Sequence, residues 1–550
     1  MKIPLFGKAT SRPLGFSTSL LAVSPVSQRI PEKQEARILF SPTPRRPTVT
    51  PRPKVVSPRP TAPARASTFG HLIVIPTQNR PVLLGRCVES IADNMRRYGY
   101  RQKIRIVVVD DSTEKKFEKS NRETLTQLAK RYSHLFDIVH YDRATQDKFV
   151  ADLEAKSRTK LDSFIFPDAS KVKHGFGGAR NLASLIALRH AEPSDLITFF
   201  DDDITLENLH LKRQEGKVVP AVGHLFSFFH KVDQVFSNGN VKIASGRVTK
   251  DIKEPQRLIP YFLEKADLLL KRAKSRKPGE KIGALAEQVT EVPELGQTVP
   301  FDRALRLLSV YSQGVTTRGA FNAGVRYYDA NAPILEEIKR TSSLGGANVT
   351  IRADTLANGI PYPTNDIRGE DTTWSMLMHR LLGGGVYRMN LPVLHHKAGG
   401  RGVFKEYGQS VSFFPVYEVI KGIHRATSHS HLAKQVRLNA STDAINLGHR
   451  KIRSHISSEF EKWDTLARSA SRNLSSSSGW WHKDPKLRRA ASRLGKNIAL
   501  FTSKQREQIF SSVVPPDKMH SGLTKYADLI ERWPTVLAAI KSTRFAKPIG

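Results

Sequence analysis

Short apolar runs recur through residues 71–402, and each stops at a polar cluster. Leu72-Ile73-Val74-Ile75 ends at Pro76-Thr77-Gln78-Asn79-Arg80, the run 104–109 ends at Asp110-Asp111-Ser112, and Leu196-Ile197-Thr198-Phe199-Phe200 ends at Asp201-Asp202-Asp203. None of the three alternates apolar with polar, which is the pattern of a strand covered on both faces of a parallel sheet. Between the first two, Val82, Leu83, Cys87, Ile91 and Met95 fall at helical spacing, so strand, helix and strand follow within a βαβ-sized stretch. Residues 177–190 are helical in texture and lead into the third strand. The class predicted is α/β: a mostly parallel, Rossmann-like sheet flanked by helices.

The flanks read differently. Prolines crowd residues 42–63, basic residues far outnumber acidic ones, and periodicity is absent, so 1–69 is predicted to be a disordered, Pro-rich basic tail. Lys2, Lys8, Arg12 and Arg29 among many serines suit an organelle transit peptide, an export signal or a nucleic-acid-binding arm alike. Residues 204–340 carry no chemistry motif. Residues 403–550 are polar, basic and mostly helical in pattern, and are expected to form a separate helical region broken at 473–479 and at Pro515-Pro516.

Composition narrows the function classes. Hydrophobic residues make up 39% of the 550, enough for a core, which excludes disorder of the whole chain. No apolar run approaches the roughly 20 residues of a membrane-spanning helix. The single cysteine, Cys87, excludes a disulfide scaffold and a Cys-rich zinc module and fits a reducing compartment, so a soluble protein of the cytoplasm or nucleus is expected. Against 51 Asp and Glu stand 87 Lys and Arg, a net charge of +36 that draws in nucleic acid, acidic headgroups or nucleotide phosphates. Screening confines that pull to about 8 Å at physiological salt, so it concentrates partners without specifying them.

Ligands of open parallel sheets sit beyond the carboxyl ends of the strands, so the three polar clusters should converge. Asp201 and Asp203, alternate residues at a strand end, can offer carboxylates to one hard cation, Mn²⁺ or Mg²⁺, shared with a substrate phosphate. Three like charges behind Phe199-Phe200 repel unless a cation neutralises them; the competing reading is a solvated acidic turn. Gly175-Phe176-Gly177-Gly178-Ala179-Arg180-Asn181 opens a helix where Gly177 and Gly178 let backbone approach a phosphate and Arg180 adds a forked donor, or where the glycines make a tight turn. There is no P-loop, and no dinucleotide fingerprint follows the first strand. Glu370 and Asp371 open an amphipathic helix, where acidic residues are ordinary. His395-His396, after an apolar strand, is by itself an ordinary structural pair.

Taken in order, IVIPTQNR, VVVDDS, GFGGARN, ITFFDDDI, LGGAN, RGEDTTW and PVLHH resemble the family 2-type nucleotide-sugar glycosyltransferases of the GT-A fold, over about residues 71–402. The stretch from GFGGARN to DDDITLE is also similar to galactofuranosyltransferases of that fold. The resemblance implies a GT-A domain over 70–402, with insertions near 142–173 and 210–340, and a metal-dependent, inverting transfer from a UDP-sugar. Pro76, Asn79, Asp110 and Asp111 would line the uridine pocket, with Arg80 and Asp202 beside the nucleotide-sugar. Arg180 and Asn181 would contact the nucleotide or its phosphates. Asp201 and Asp203 would be the DxD metal ligands, completed by His395 or His396. Residues 344–348, Gly346 and Asn348 among them, would border donor sugar and acceptor, and Asp371 would be the general base beside Glu370. The acceptor stays open between an anionic macromolecule such as hydroxymethylated DNA, a surface glycan and a protein. A nucleic-acid-binding protein on a degenerate transferase domain is the reading from another class.

Overall fold

The computed structural model describes residues 69–166, 174–214, 217–249, 255–281, 300–317, 328–330, 332–337, 344, 346–364, 369–396, 407–408, 411–502 and 505–543. The tail expected over 1–69 lies outside the described residues, Phe69 excepted, and so do Gly345 and Arg368.

Strands β1 (His71–Thr77), β2 (Ile104–Asp110), β3 (Phe136–Tyr141) and β4 (Leu196–Phe200) make a parallel block in the order β3-β2-β1-β4. Every residue of β4 is buried, as its unbroken apolar run requires. Pro76 is tolerated inside β1 because pairing with β4 stops at Val74, where no ladder donor is needed beyond it. Farther along the chain come β5 (Ile204–Thr205), the separate hairpin β6 (Asn208–Gln214) and β7 (Lys217–Gly223), then β8 (Ile243–Thr249), β9 (Leu335–Glu337), β10 (Asn348–Arg352) and β11 (Val386–His395). The large sheet continues from β4 through β10, β8 and β11 to β5. β10 is antiparallel to both neighbours, and β8 and β11 are parallel. The sheet is thus parallel over its first four strands and mixed beyond them.

Thirteen helices are labelled in chain order: α1 (Pro81–Tyr98), α2 (Lys115–Arg131), α3 (Arg143–Ser157), α4 (Gly175–His190), α5 (Phe228–Phe236), α6 (Pro255–Ala273), α7 (Phe301–Thr317), α8 (Glu370–Leu382), α9 (Phe413–Lys421), α10 (His429–Asn439), α11 (Thr442–Ser475), α12 (Pro485–Ala499) and α13 (Pro516–Thr543). Alternation along β1 sorts them. Ile73 and Ile75 pack with α1, α2 and α5, whereas Leu72 and Val74 share a core with α3, α4, α8, α9, α10 and α13. Trp533 of α13 sits 5.3 Å from the Phe164 ring, and Tyr526 Oη donates to Pro361 O at 2.9 Å.

The region expected to stand apart after residue 402 therefore has no single core of its own. Its helices α9, α10 and α13 cover one sheet face, while α11 and α12 join α6 and α7 in a second core around Trp463 and Trp481. The amphipathic pattern was visible in each helix, but which apolar surface it covers depends on residues hundreds of positions away. Among the described residues no helix is long and apolar enough to cross a membrane.

Candidate active site

The three strand ends meet. Asp111 N donates to Thr77 O at 2.8 Å, and Thr77 Oγ1 donates to Asp202 Oδ2 at 2.8 Å, so the turns after β2, β1 and β4 are bonded in series. Asn79 takes φ +55°, a left-handed conformation that Asn adopts more readily than most residues. Its amide clamps the turn after β2, donating to Thr113 Oγ1 and accepting from Thr113 N, each at 3.2 Å.

The acidic triplet is held by cationic side chains. Arg80 Nη1 reaches Asp202 Oδ1 at 3.0 Å and Asp203 Oδ2 at 3.2 Å. Arg180 Nη2 donates to Asp201 Oδ1 and, at 2.7 Å, to Gly346 O. His395 Nε2 lies 3.1 Å from Asp203 Oδ1, whereas the His396 ring faces Thr205 Oγ1 at 2.9 Å and its backbone N donates to Asp203 O at 2.7 Å. The two histidines are thereby told apart: His395 stands beside the triplet's carboxylate. Burial pushes the Asp202 carboxyl up to about 6, against the pull of Arg80 and the Thr77 hydrogen bond.

Asp371 is brought to the same place from α8. A Cβ on Gly346 would lie 2.0 Å from Asp371 Oδ2, so only glycine leaves room for this carboxyl against the chain before β10. Gly369, at φ +82°, turns the chain into α8 so that Glu370 and Asp371 open its first turn. Burial, then the neighbouring Glu370 charge, raise the Asp371 carboxyl to about 7, with Asp201 adding to the rise and Arg180 opposing it. Burial also raises Glu370. Arg180 is the hinge of the cluster, and its Nη1 is buried without a hydrogen-bond partner among the described residues.

Among the described residues no group of three or more His, Cys, Asp and Glu side chains is poised to hold a metal ion. The repulsion expected within the triplet is met by Arg80 and Arg180, so a metal cation is not the only neutraliser available. The donor chemistry nonetheless suits Mn²⁺ or Mg²⁺: Asp203 and His395 offer an oxygen and a nitrogen side by side, and the Asp201 side chain keeps 38% of its surface exposed.

Several predicted ligands are spent on the fold. A Cβ on Gly177 would meet Pro363 O at 1.9 Å, and one on Gly178 would meet Ile165 O at 1.7 Å. These glycines let α4 pack closely on neighbouring backbone. Asn181 is fully buried, donating to Phe164 O at 2.8 Å and Tyr362 O at 2.9 Å and accepting from Tyr362 N at 2.6 Å. Asn348 is equally buried and donates to Leu391 O at 3.0 Å. Asp110 turns inward; burial works against its charge, but hydrogen bonds from His140, Ser112 and Asn121 outweigh it and hold the carboxyl below its ordinary range. Because these bonds are buried and each orphaned partner costs about 1–3 kcal/mol, Asn181→Ala should destabilise the protein by about 3 kcal/mol or more, read as a lower urea midpoint. An unchanged midpoint would leave Asn181 available as a ligand.

Asp111, just past the end of β2, is buried as well, and its partners were not legible in the sequence. Arg143 Nη1 approaches Oδ1 at 3.3 Å, His174 Nδ1 approaches Oδ1 at 3.0 Å, and His174 N donates to Oδ2 at 3.2 Å. Arg143 also lies over the Phe166 ring at 5.4 Å, and Phe166 is 5.0 Å from the His174 ring. Tyr362, stacked on Trp374 at 4.6 Å and 8°, backs Arg180 and Asp371, and no motif announced it.

The fold defines a mixed α/β protein with a large central sheet between helical layers. No family model matches the chain, and no curated protein does. Among solved structures the chain is similar to a mycobacterial protein, at 14% identity over 65% of this chain and 76% of that one, with a TM-score of 0.28. So loose a superposition says nothing of activity.

Proposed function

We propose that this protein is an inverting glycosyltransferase that moves a sugar from a nucleotide-sugar, a UDP-sugar, to an acceptor hydroxyl. The observation that carries the reading is Asp371: a carboxyl raised to about 7, set on Gly346 and sharing Arg180 with the first aspartate of the triplet. A general base works best when its pKa lies near the operating pH. In this reading Asp371 takes the acceptor's hydroxyl proton as the oxygen attacks the anomeric carbon. The bond from that carbon to the diphosphate oxygen breaks, its electrons leave with the nucleoside diphosphate, and attack from the opposite face inverts the configuration. Arg180 Nη1, a buried donor without a partner among the described residues, suits an oxygen of the bound donor. Asp203 and His395, with Asp201 beside them, would hold Mn²⁺ or Mg²⁺, which would neutralise the departing diphosphate. A net charge of +36 favours an anionic macromolecule as bearer of the hydroxyl.

The test is donor hydrolysis. The full chain with Mn²⁺ and a panel of UDP-sugars should release UDP, and Asp203→Ala should lower that rate by at least about 10²-fold, near 3 kcal/mol of barrier. If no sugar nucleotide binds or turns over, the transferase reading falls.

A further inference from the structure

Helix α12 has two unlike faces. Leu487, Ala491, Leu494 and Ile498 recur at helical spacing and are buried in the second core, against α7 and α11. On the outer side Lys486, Arg489, Arg493 and Lys496 follow at i, i+3, i+7 and i+10, all exposed, with Arg488 alongside. At 1.5 Å per residue the four form a straight cationic stripe about 15 Å long.

Among the described residues little answers this charge. The helix contains no carboxylate; Asp484, just before it, caps the helix, accepting from Lys486 N at 2.6 Å and Leu487 N at 3.0 Å, and its charge acts on Lys486 at the start of the stripe. Among the described residues none of the four stripe side chains, nor Arg488, forms an ion pair. Other exposed helical arginines do: Arg122 with Glu118, Arg306 with Asp302 and Arg468 with Asp464, each across one turn. Like charges at this spacing repel and weaken a helix, so four in a row with a single carboxylate, at the first of them, suit an external anion.

The features of the stripe narrow the anion. It presents no aromatic side chain on which single-stranded bases could stack. The apolar face of α12 is used up in the core, so there is nothing to insert into a bilayer. Lysines and arginines in a straight row match a regular line of phosphates, and the wide major groove of B-form DNA receives a helical face that the deep, narrow groove of A-form RNA does not. We propose that Lys486, Arg489, Arg493 and Lys496 form a docking surface for double-stranded DNA, held by its phosphate backbone without sequence readout. This inference stands apart from the transferase reading and survives if that reading fails.

The experiment is fluorescence anisotropy of a labelled 20-base-pair duplex with the full chain from 50 to 200 mM salt. Each phosphate contact contributes about −0.9 to the slope of log affinity against log salt. The variant Lys486→Gln/Arg489→Gln/Arg493→Gln/Lys496→Gln should flatten that slope by about 3 to 4 and weaken binding at least about 10-fold at 100 mM salt. Its melting temperature should match the parent's, since all four side chains are exposed. A control with the same loss of charge at the exposed Lys130, Lys148, Lys434 and Lys525 should bind nearly as the parent does. The proposal is overturned if the parent does not bind the duplex, if stripe and control variants lose affinity equally, or if the stripe variant binds like the parent. Equal affinity of the parent for duplex RNA or for phosphatidylserine vesicles overturns it as well.

Discussion

Asp371→Asn should abolish transfer and stabilise the protein in the same stroke. Removing a positioned general base costs about 10²–10⁴-fold, so transfer should fall by roughly 10³. The stability effect follows from the sign of the shift. Asp371 is raised to about 7 in the folded protein, above the roughly 3.9 of an unfolded aspartate, so the folded state binds its proton more tightly. Below the unfolded value both states are protonated and the residue costs nothing. Between that value and about 7 the unfolded state gains from ionising while the folded state does not, and stability is lost as pH rises; above about 7 the loss is complete. Asparagine mimics the neutral form, so the variant should melt at least about 2 °C higher at pH 8 and equal to the parent near pH 4. Burial is the leading cause of the shift, and Glu370 beside it adds to the gain. Melts at the two pH values, with transfer assays alongside, decide it. A carboxyl kept for structure would do the opposite, with asparagine melting lower at pH 8. Transfer by the parent should also rise with pH through about 7, as the base loses its proton.

How much of this was legible depended on whether a feature is local. The buried strands β1, β2 and β4 announced themselves, because a run covered on both faces must be apolar throughout. Their carboxyl ends could be expected to meet, and Thr77, Asp111 and Asp202 do. β8 was missed: IASGRVT mixes small and polar residues, and Gly246 is there because Asn348 Nδ2 would lie 2.0 Å from a Cβ at that position. Its place between β10 and β11 is set by those neighbours, not by its own composition. The same holds for Arg143 and His174 on Asp111, which are brought in by α3 and by the start of α4. His395 and His396 are identical in sequence terms and differ only in what β5 and the triplet place beside each ring. Asp371 was legible as an acidic first turn, but its raised pKa needs burial against Gly346 and the neighbouring Glu370 and Asp201 charges, which together outweigh the opposing pull of Arg180.

Gly178→Ala separates the two meanings of the GFGGARN stretch. Considered as part of a helix, the change helps: alanine favours a helix interior by about 1 kcal/mol over glycine. Against that gain stands the main chain of Asp162–Ile165, whose Ile165 carbonyl oxygen and carbon would lie 1.7 and 2.6 Å from the new methyl. A backbone carbonyl cannot swing aside as a side-chain tip does, so α4 must part from this turn. With it go the Asn181 bond to Phe164 O and the packing of Phe164 and Ile165, both nearly inaccessible to solvent. Overpacking alone costs about 1–3 kcal/mol, and the lost burial and hydrogen bond carry the total past about 4 kcal/mol. We expect a melting temperature at least about 8 °C lower without any ligand present, or failure to accumulate as soluble protein. Gly495→Ala in α12 is the contrast: its nearest neighbour is the tip of Leu474, Cδ2, at 3.1 Å, which can shift, so melting should stay within about 3 °C. If the glycine served a phosphate instead, Gly178→Ala would melt at or above the parent and only sugar-nucleotide binding would weaken. That outcome would return α4's first turn to the list of donor contacts and remove the packing explanation given for it.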